Sequence, residues 1–448
     1  MITHHRNSLL GPAASTDGRP QKTAVVAYND QKQLWNPQKS VMWVLMTCTL
    51  LIVFLFFTSV FSSNSLIDLS AEESSETLPG IIDSPSPHIS PSSGSDADVT
   101  ELIDFSVGGC NIWIGDWIPH SDGPAYTNAT CEYIQENQDC IKLGRPDLGF
   151  LYWRWKPYNC ELPLFDGKAF LMIVAGKTWA FIGDSLARNN FQSLLCHLAQ
   201  VEVPKLTYDD GVHGNVLWYF KSYNFTLAFA WAPFLIKGIE RAEGFSQQIA
   251  KFYLDVLDES WAPSLHNYDY IVLSVGRWFL RDSLFYVENE LVGCNNCPML
   301  NATELGWVYA YRAALRTGFD FLISSKYKGV VFFRTVSPDH WQNAEWNKGG
   351  NCTQKAPFKS KTHTLDGLSH FIHNMQLEEF GKTLQRSSEY SFQLKIVDTL
   401  HSASLRPDAH PGPYGHFHSS VQNDCLHWCL PGAVDAWSAM LLHVLKYL

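Results

Sequence analysis

The chain has 448 residues, 46% of them hydrophobic and 17% charged, a balance that excludes an intrinsically disordered chain and a long coiled coil. Its net charge of −11 excludes a general binder of the nucleic-acid phosphate backbone. Aromatic residues reach 14%, including 16 Trp, and there are 11 Cys, all spread unevenly along the chain.

Residues 1–40 are polar and carry five cations, Arg6, Arg19, Lys22, Lys32 and Lys39. Residues 41–61 then run 21 positions without a charge. As a helix this run spans roughly 31 Å, one bilayer core. The 40-residue leader argues against a cleavable signal peptide, so the run reads as a single-pass membrane anchor. No Lys or Arg follows it until Lys142, and the positive-inside rule therefore leaves residues 1–40 in the cytosol and sends the rest across the membrane, as a type II anchor. Residues 62–104 are rich in Ser, Pro and acids and too poor in large apolar groups to offset ordering entropy, which predicts a flexible stem.

Residues 105–448 hold 14 of the 16 Trp and ten Cys: Cys110, Cys131, Cys140, Cys160, Cys196, Cys294, Cys297, Cys352, Cys425 and Cys429. In an oxidising compartment these are read as disulfides. A zinc site drawn from Cys294, Cys297, Cys425, Cys429 and His427 has unorthodox spacing and the wrong compartment, so no metal is expected. Sequons at Asn128, Asn224, Asn301 and Asn351 fit a glycosylated secretory-pathway domain.

Short apolar runs at 179–182, 270–275, 330–334 and 394–397 predict buried strands. Helical periodicity fits 186–198, 305–323, 368–384 and 433–445. Strand–helix alternation implies an α/β domain, 161–448, with a largely parallel sheet covered on both faces. The Cys- and Trp-rich stretch 105–160 lacks the alternation and reads as a smaller stapled subdomain.

Two segments carry residues suited to chemistry. In AFIGDSLARNNFQSLL, 180–195, an apolar strand ends at Ile182, Gly183 allows a tight turn, and Ser185 stands where a helix begins. A hydroxyl there has helix N–H groups and the positive dipole end at hand to stabilise an oxyanion, so Ser185 is either a nucleophile or an N-cap. In NDCLHWCLPG, 423–432, Asp424 and His427 are three apart, a spacing that sets a carboxylate beside an imidazole; the alternative is a solvated Asp and a packed His. Flanking Cys425 and Cys429 would pin the loop. His410, His416 and His418 lie in a Pro/Gly loop without suitably spaced metal partners and read as a polar loop near an acceptor cleft.

Together these segments resemble the plant trichome birefringence-like proteins, polysaccharide O-acetyltransferases of the Golgi. The resemblance extends over GDWIPHSDGPAYTNATC, GRPDLGFLYWRWKPYNCELPLFD, FRTVSPDHWQNAEWNKGGNC and SLRPDAHPGPYG, and so over the whole chain beyond the stem. It implies a three-layer α/β/α sheet domain of the GDSL/SGNH-hydrolase type, with Ser185 as nucleophile, His427 as base and Asp424 as orienting carboxylate. It also implies disulfides Cys110–Cys160, Cys131–Cys196, Cys140–Cys429 and Cys352–Cys425, with Cys294 and Cys297 left over and their partners open, each other among the choices.

Gly183, Asp184, Arg188, Gly276, Arg277, Trp278 and Trp428 become candidates for holding the oxyanion or touching substrate. GDSL-type esterases often place an Asn-containing step where this chain has Gly276-Arg277-Trp278, so the second oxyanion donor falls to the Gly276 N–H or the Arg277 guanidinium. Trp278 and Trp428 are the expected stacking surfaces for sugar. No bound cofactor is implied. The acetyl donor is a co-substrate, either acetyl-CoA or an intermediate delivered through the membrane by a donor-supplying membrane protein. Residues 292–317 look like the branch acting on xyloglucan or mannan rather than on xylan, and a neutral hemicellulose suits an acidic protein better than pectin. The competing readings are an acetylesterase with the same triad, an acetyltransferase acting on xylan or pectin, and a non-catalytic polysaccharide-binding protein.

Overall fold

Beyond residue 100 the chain first forms a loop-rich lobe whose only strands, β1 (Gly115–Pro119) and β2 (Trp153–Pro157), pair antiparallel. The computed structural model describes residues 100–448 except 213, 243–248, 299–300, 365–366 and 416–421. The expected tail, anchor and most of the stem lie outside the described residues, among which no helix is long and apolar enough to cross a membrane. Next come α1 (Gly167–Ile173), β3 (Thr178–Gly183), α2 (Ser185–Ala199), β4 (Lys205–Asp209), β5 (Val216–Phe220) and β6 (Phe225–Trp231). There follow β7 (Ile236–Ile239), β8 (Ala250–Leu257), β9 (Tyr270–Ser274), β10 (Ser283–Val287), β11 (Glu290–Asn295) and α3 (Gly306–Ser324). The chain ends through β12 (Val330–Arg334), α4 (Gly367–Gln385), β13 (Gln393–Val397), α5 (Leu400–Ser404) and α6 (Asp435–Leu445).

The main sheet has the order β13-β12-β9-β3-β6-β5-β4. Its first five strands are parallel, and β5 and β4 extend it antiparallel. After β3 the chain builds β6 on one side and then β9 on the other, so the C-terminal end of β3 lies at the topological switch point, where open α/β sheets bind ligands. Both faces are covered, which explains the unbroken apolar runs. Trp179, Phe181, Val272 and Phe332 join one core with α2 and α6. Ala180, Ile182, Leu273 and Phe333 join the other with α3 and α4.

The largely parallel sheet expected from the alternation is thus a parallel centre with an antiparallel edge. A second sheet, β11-β10-β8-β7, was not legible. β8 alternates over most of its eight residues, but β7 is only four residues long and β11 begins with three exposed residues before turning buried, so the sheet as a whole carries no common pattern.

The N-terminal lobe is fastened along the first core. The Trp117 indole donates to the Ser402 carbonyl at 2.8 Å, the Tyr126 hydroxyl donates to Asp435 at 2.7 Å, and Cys131 bonds Cys196 on α2.

The strand that feeds the switch point tolerates no side chain at its end. A Cβ added to Gly183 would stand 1.9 Å from the Ser274 carbonyl oxygen, a backbone atom with nowhere to move. Gly183→Ala should therefore push β3 from β9 and lower the thermal midpoint of the purified protein by the equivalent of about 2–3 kcal/mol. An unchanged melting curve would contradict this close approach.

Candidate active site

The turn after β3 is built on Asp184. Its carboxylate accepts from the N–H groups of Leu186 (2.9 Å) and Ala187 (3.3 Å), and its own N–H donates to the Ser274 carbonyl at 3.2 Å. Asp184, not Ser185, is the N-cap of α2. The Ser185 hydroxyl is thereby released from capping and half-exposed at the first position of the helix. Burial raises the Asp184 pKa, opposed by the Arg334 charge and by the two helix N–H groups. Arg334 is itself buried beneath the turn, donates to the Ser274 hydroxyl, and lies 4.6 Å from the Trp437 ring. Burial brings its pKa down to about 10, against the pull of Asp184, so it stays charged at neutral pH.

Across the switch point stands the loop between α5 and α6. His427 Nε2 lies 2.7 Å from Ser185 Oγ, and Nδ1 lies 2.8 Å from Asp424 Oδ2. The other Asp424 oxygen accepts from the N–H groups of Leu426 (3.1 Å) and His427 (2.9 Å), a local turn that fixes the carboxylate against the ring. Burial disfavours the charged imidazole, but the charge and hydrogen bond of Asp424, with Asp184 further off, outweigh it and hold the His427 pKa above its ordinary value.

Asn189, one turn along α2 from Ser185, holds the loop to the helix. Its Oδ1 accepts from the Trp428 N–H at 2.9 Å, and its amide donates to the Trp428 carbonyl at 3.3 Å and to Gln138 of the N-terminal lobe at 3.0 Å. Arg145 of the same lobe donates to the carbonyls of His410 (2.7 Å) and Asp408 (2.6 Å). The structure pairs Cys140 with Cys429 and Cys352 with Cys425, one bridge on each side of His427. Cys110–Cys160 and Cys131–Cys196 complete the four pairs that the resemblance implies. Cys294 bonds Cys297, with Glu304 beside them.

Several candidates stand elsewhere than expected. Trp428 has no accessible surface and cannot stack on a sugar. It lies against His410 with ring centroids 4.1 Å apart, and its indole N–H donates to Ser337 at 3.0 Å. Arg277 is not aimed at Ser185. It donates from Nε to the Ser337 carbonyl, from Nη1 to Asp339 at 2.6 Å and from Nη2 to Ser369 at 2.7 Å, bracing the 337–339 loop against α4. Trp278 is half-buried, under Arg281 at 3.9 Å and edge-on to Trp231 at 5.1 Å. Arg188 covers the other part of this aromatic row, 4.6 Å from the Trp231 ring. Gly276 follows β9 beside the Tyr311 hydroxyl, which donates to the Val275 carbonyl at 2.9 Å.

His410 is buried rather than part of an open polar loop: Nδ1 meets the His427 carbonyl at 2.7 Å and Nε2 meets His340 Nδ1 at 2.6 Å. His416 and His418 lie outside the described residues. Among the sequons, Asn224 and Asn301 are exposed, and Asn128 and Asn351 half-buried. The residues that sequence reasoning missed are Asn189, Gln138, Arg145, Arg334 and His340. Asn189 had one available signal, its place one turn after Ser185 in the same motif.

An α/β sheet whose switch point carries a serine in contact with a histidine–aspartate pair defines the class, an enzyme of acyl chemistry. The chain belongs to the GDSL/SGNH-like acyl-esterase family found in Pmr5 and Cas1p, whose model matches residues 162–444, and residues 108–161 match the PMR5 N terminal domain. It is 43% identical over 342 residues to protein trichome birefringence-like 26 of Arabidopsis thaliana, covering 74% of this chain and 76% of that protein. With protein trichome birefringence-like 23 of the same plant it shares 38% over 420 residues, 91% and 94% of the two chains. It shares 40% over 350 residues with xyloglucan O-acetyltransferase 1 of Populus trichocarpa, 75% of this chain and 81% of that protein.

A protonated His427 cannot accept the Ser185 proton, so turnover falls as pH drops through its pKa. Because Asp424 holds that pKa above 6.5, the acid limb of kcat/KM for a small aryl acetate should have its midpoint above pH 6.5. In Asp424→Asn, burial acts against the imidazolium without that carboxylate, so the limb should move to lower pH while the plateau rate falls. A limb at higher pH in Asp424→Asn would contradict the assignment.

Proposed function

We propose that the protein is a polysaccharide O-acetyltransferase of the Golgi membrane, anchored by residues 41–61 with its catalytic part in the lumen. Its acceptor is a hemicellulose hydroxyl, on xyloglucan before mannan. The observation that carries the reading is the relay Asp424–His427–Ser185, with contacts of 2.8 and 2.7 Å. The 40% identity to a protein named for xyloglucan acetylation supports the acceptor class. The charge asymmetry around 41–61 and the disulfides support the luminal side. The exposed Asn224 and Asn301 are the sequons most open to glycosylation.

Ser185 Oγ attacks the carbonyl of an acetyl donor, acetyl-CoA or a membrane-delivered intermediate, while His427 Nε2 takes its proton. Asp424 keeps Nδ1 protonated and stabilises the imidazolium. The tetrahedral oxyanion meets the Ser185 N–H at the start of α2, with the Gly276 N–H as second donor now that Arg277 is committed elsewhere. Collapse breaks the bond to the donor's leaving group, which receives the proton from His427 and leaves acetyl-Ser185. A sugar hydroxyl then gives its proton to His427 and attacks the ester. Return of that proton to Ser185 Oγ releases the acetylated glycan.

The test is full-length protein in detergent, an isotope-labelled acetyl donor, and deacetylated oligosaccharides of xyloglucan, mannan, xylan and pectin analysed by mass spectrometry. Label should appear on xyloglucan oligosaccharides, and Ser185→Ala should lower the rate at least about 10³-fold. A Ser185→Ala protein that acetylates as well as the parent would overturn the triad. Acetate release without labelled glycan would make the protein an acetylesterase.

A further inference from the structure

A cleft of about 470 Å³ opens between α2, the β4–β6 edge of the sheet and residues 132–135 of the N-terminal lobe. It begins one helical turn from the nucleophile, at Arg188, whose guanidinium covers the Phe229 and Trp231 rings at 4.9 and 4.6 Å. Tyr133 and Trp218, both half-buried, meet edge-on in its wall with ring centroids 4.7 Å apart. Gln192, the next turn along α2, lines the cleft and is 6% exposed, yet its Oε1 has no hydrogen-bond partner among the described residues. A buried amide oxygen left unpaired is costly, and a ligand hydroxyl would satisfy it. The exposed carboxylates of Glu132 and Asp209 also line the cleft.

These groups select among ligands. A pyranose offers apolar C–H faces to aromatic rings and hydroxyl donors to carboxylates and amide oxygens, whereas a phosphate-rich donor such as acetyl-CoA would bring negative charge toward Glu132 and Asp209. Sites of this kind combine an aromatic wall with a few placed polar groups. We propose that this cleft binds the neutral glycan acceptor, with Trp218 and Tyr133 as the stacking wall, Gln192 as a hydroxyl acceptor, and Arg188 at the end nearest Ser185. The inference rests on the acetyltransferase reading for the identity of its ligand, and it assigns sugar contact to residues other than Trp428.

Binding can be measured without turnover. Full-length Ser185→Ala protein in detergent is titrated calorimetrically with a deacetylated xyloglucan oligosaccharide and, separately, with CoA. Adding Trp218→Ala should weaken oligosaccharide binding at least about tenfold, and Gln192→Leu, which keeps the volume, should weaken it about threefold or more. Trp153→Ala, in a separate aromatic cavity of the N-terminal lobe, should change it less than about twofold and serves as the control for adventitious stacking. In the Ser185-containing protein Trp218→Ala should raise the acceptor KM rather than lower kcat. Oligosaccharide binding untouched by Trp218→Ala and Gln192→Leu, lost instead with Trp153→Ala, or CoA binding lost with Trp218→Ala would each overturn the assignment. If the cleft variants abolish oligosaccharide binding while no acetyl transfer is found, the cleft stands and the transferase reading falls.

Discussion

The structure around Ser185 depends on the grip of Asn189 on the backbone of Trp428. One side chain on the helix that carries the nucleophile accepts from and donates to the residue next to His427, across 239 positions of sequence. Each such buried hydrogen bond contributes only about 1 kcal/mol net, but leaving the groups unpaired costs more, so the register between helix and loop is set discretely. A serine and a histidine from opposite ends of a domain are held at 2.7 Å because the elements carrying them share this bracket.

The N-terminal lobe extends the same grip. Gln138 receives the Asn189 amide and, through its carbonyl, the Leu430 N–H, while Arg145 holds the carbonyls at 408 and 410. Cys140–Cys429 closes 289 positions and Cys352–Cys425 closes 73, and on a chain-entropy account each stabilises by roughly 3–6 kcal/mol. The lobe is thus a structural part of the histidine loop's seat rather than an appended module.

What could be read from the sequence was what local pattern encodes. Trp179–Ile182 and Val330–Arg334 announced strands because parallel strands buried on both faces are apolar throughout, and α2 was marked by its period. Ser185, Asp424 and His427 stood out because their motifs are compact. The supporting residues were not legible, because Gln138, Arg145 and Arg334 are ordinary polar residues until tertiary contacts bury them. Trp428 was misread for a related reason: an indole beside a histidine looks the same in sequence whether it faces solvent or core, and only its lack of exposed surface decides. Arg277 was drawn toward the nucleophile by its place after β9, but Asp339 and Ser369, from elements distant in sequence, claim it.

One arrangement near the site has a cost that these clamps make tolerable. His340 Nε2 meets the Ser404 carbonyl at 2.9 Å and His410 Nδ1 meets the His427 carbonyl at 2.7 Å. A carbonyl can only accept, so each ring spends its one neutral-state proton outward. The contact of 2.6 Å between the two rings then needs a third proton. Burial opposes that charge first, bringing His340 to about 4 and His410 well below its ordinary value, and the neighbouring ring reinforces the effect on His410. Two neutral rings supply two protons to three contacts, so the pair is underprovided at neutral pH. Such frustration persists only where the surroundings over-determine the geometry. Here the Trp428 ring stacked on His410, Arg145 on its carbonyl and a disulfide on either side of His427 do so, and the same restraints keep His427 within reach of Ser185.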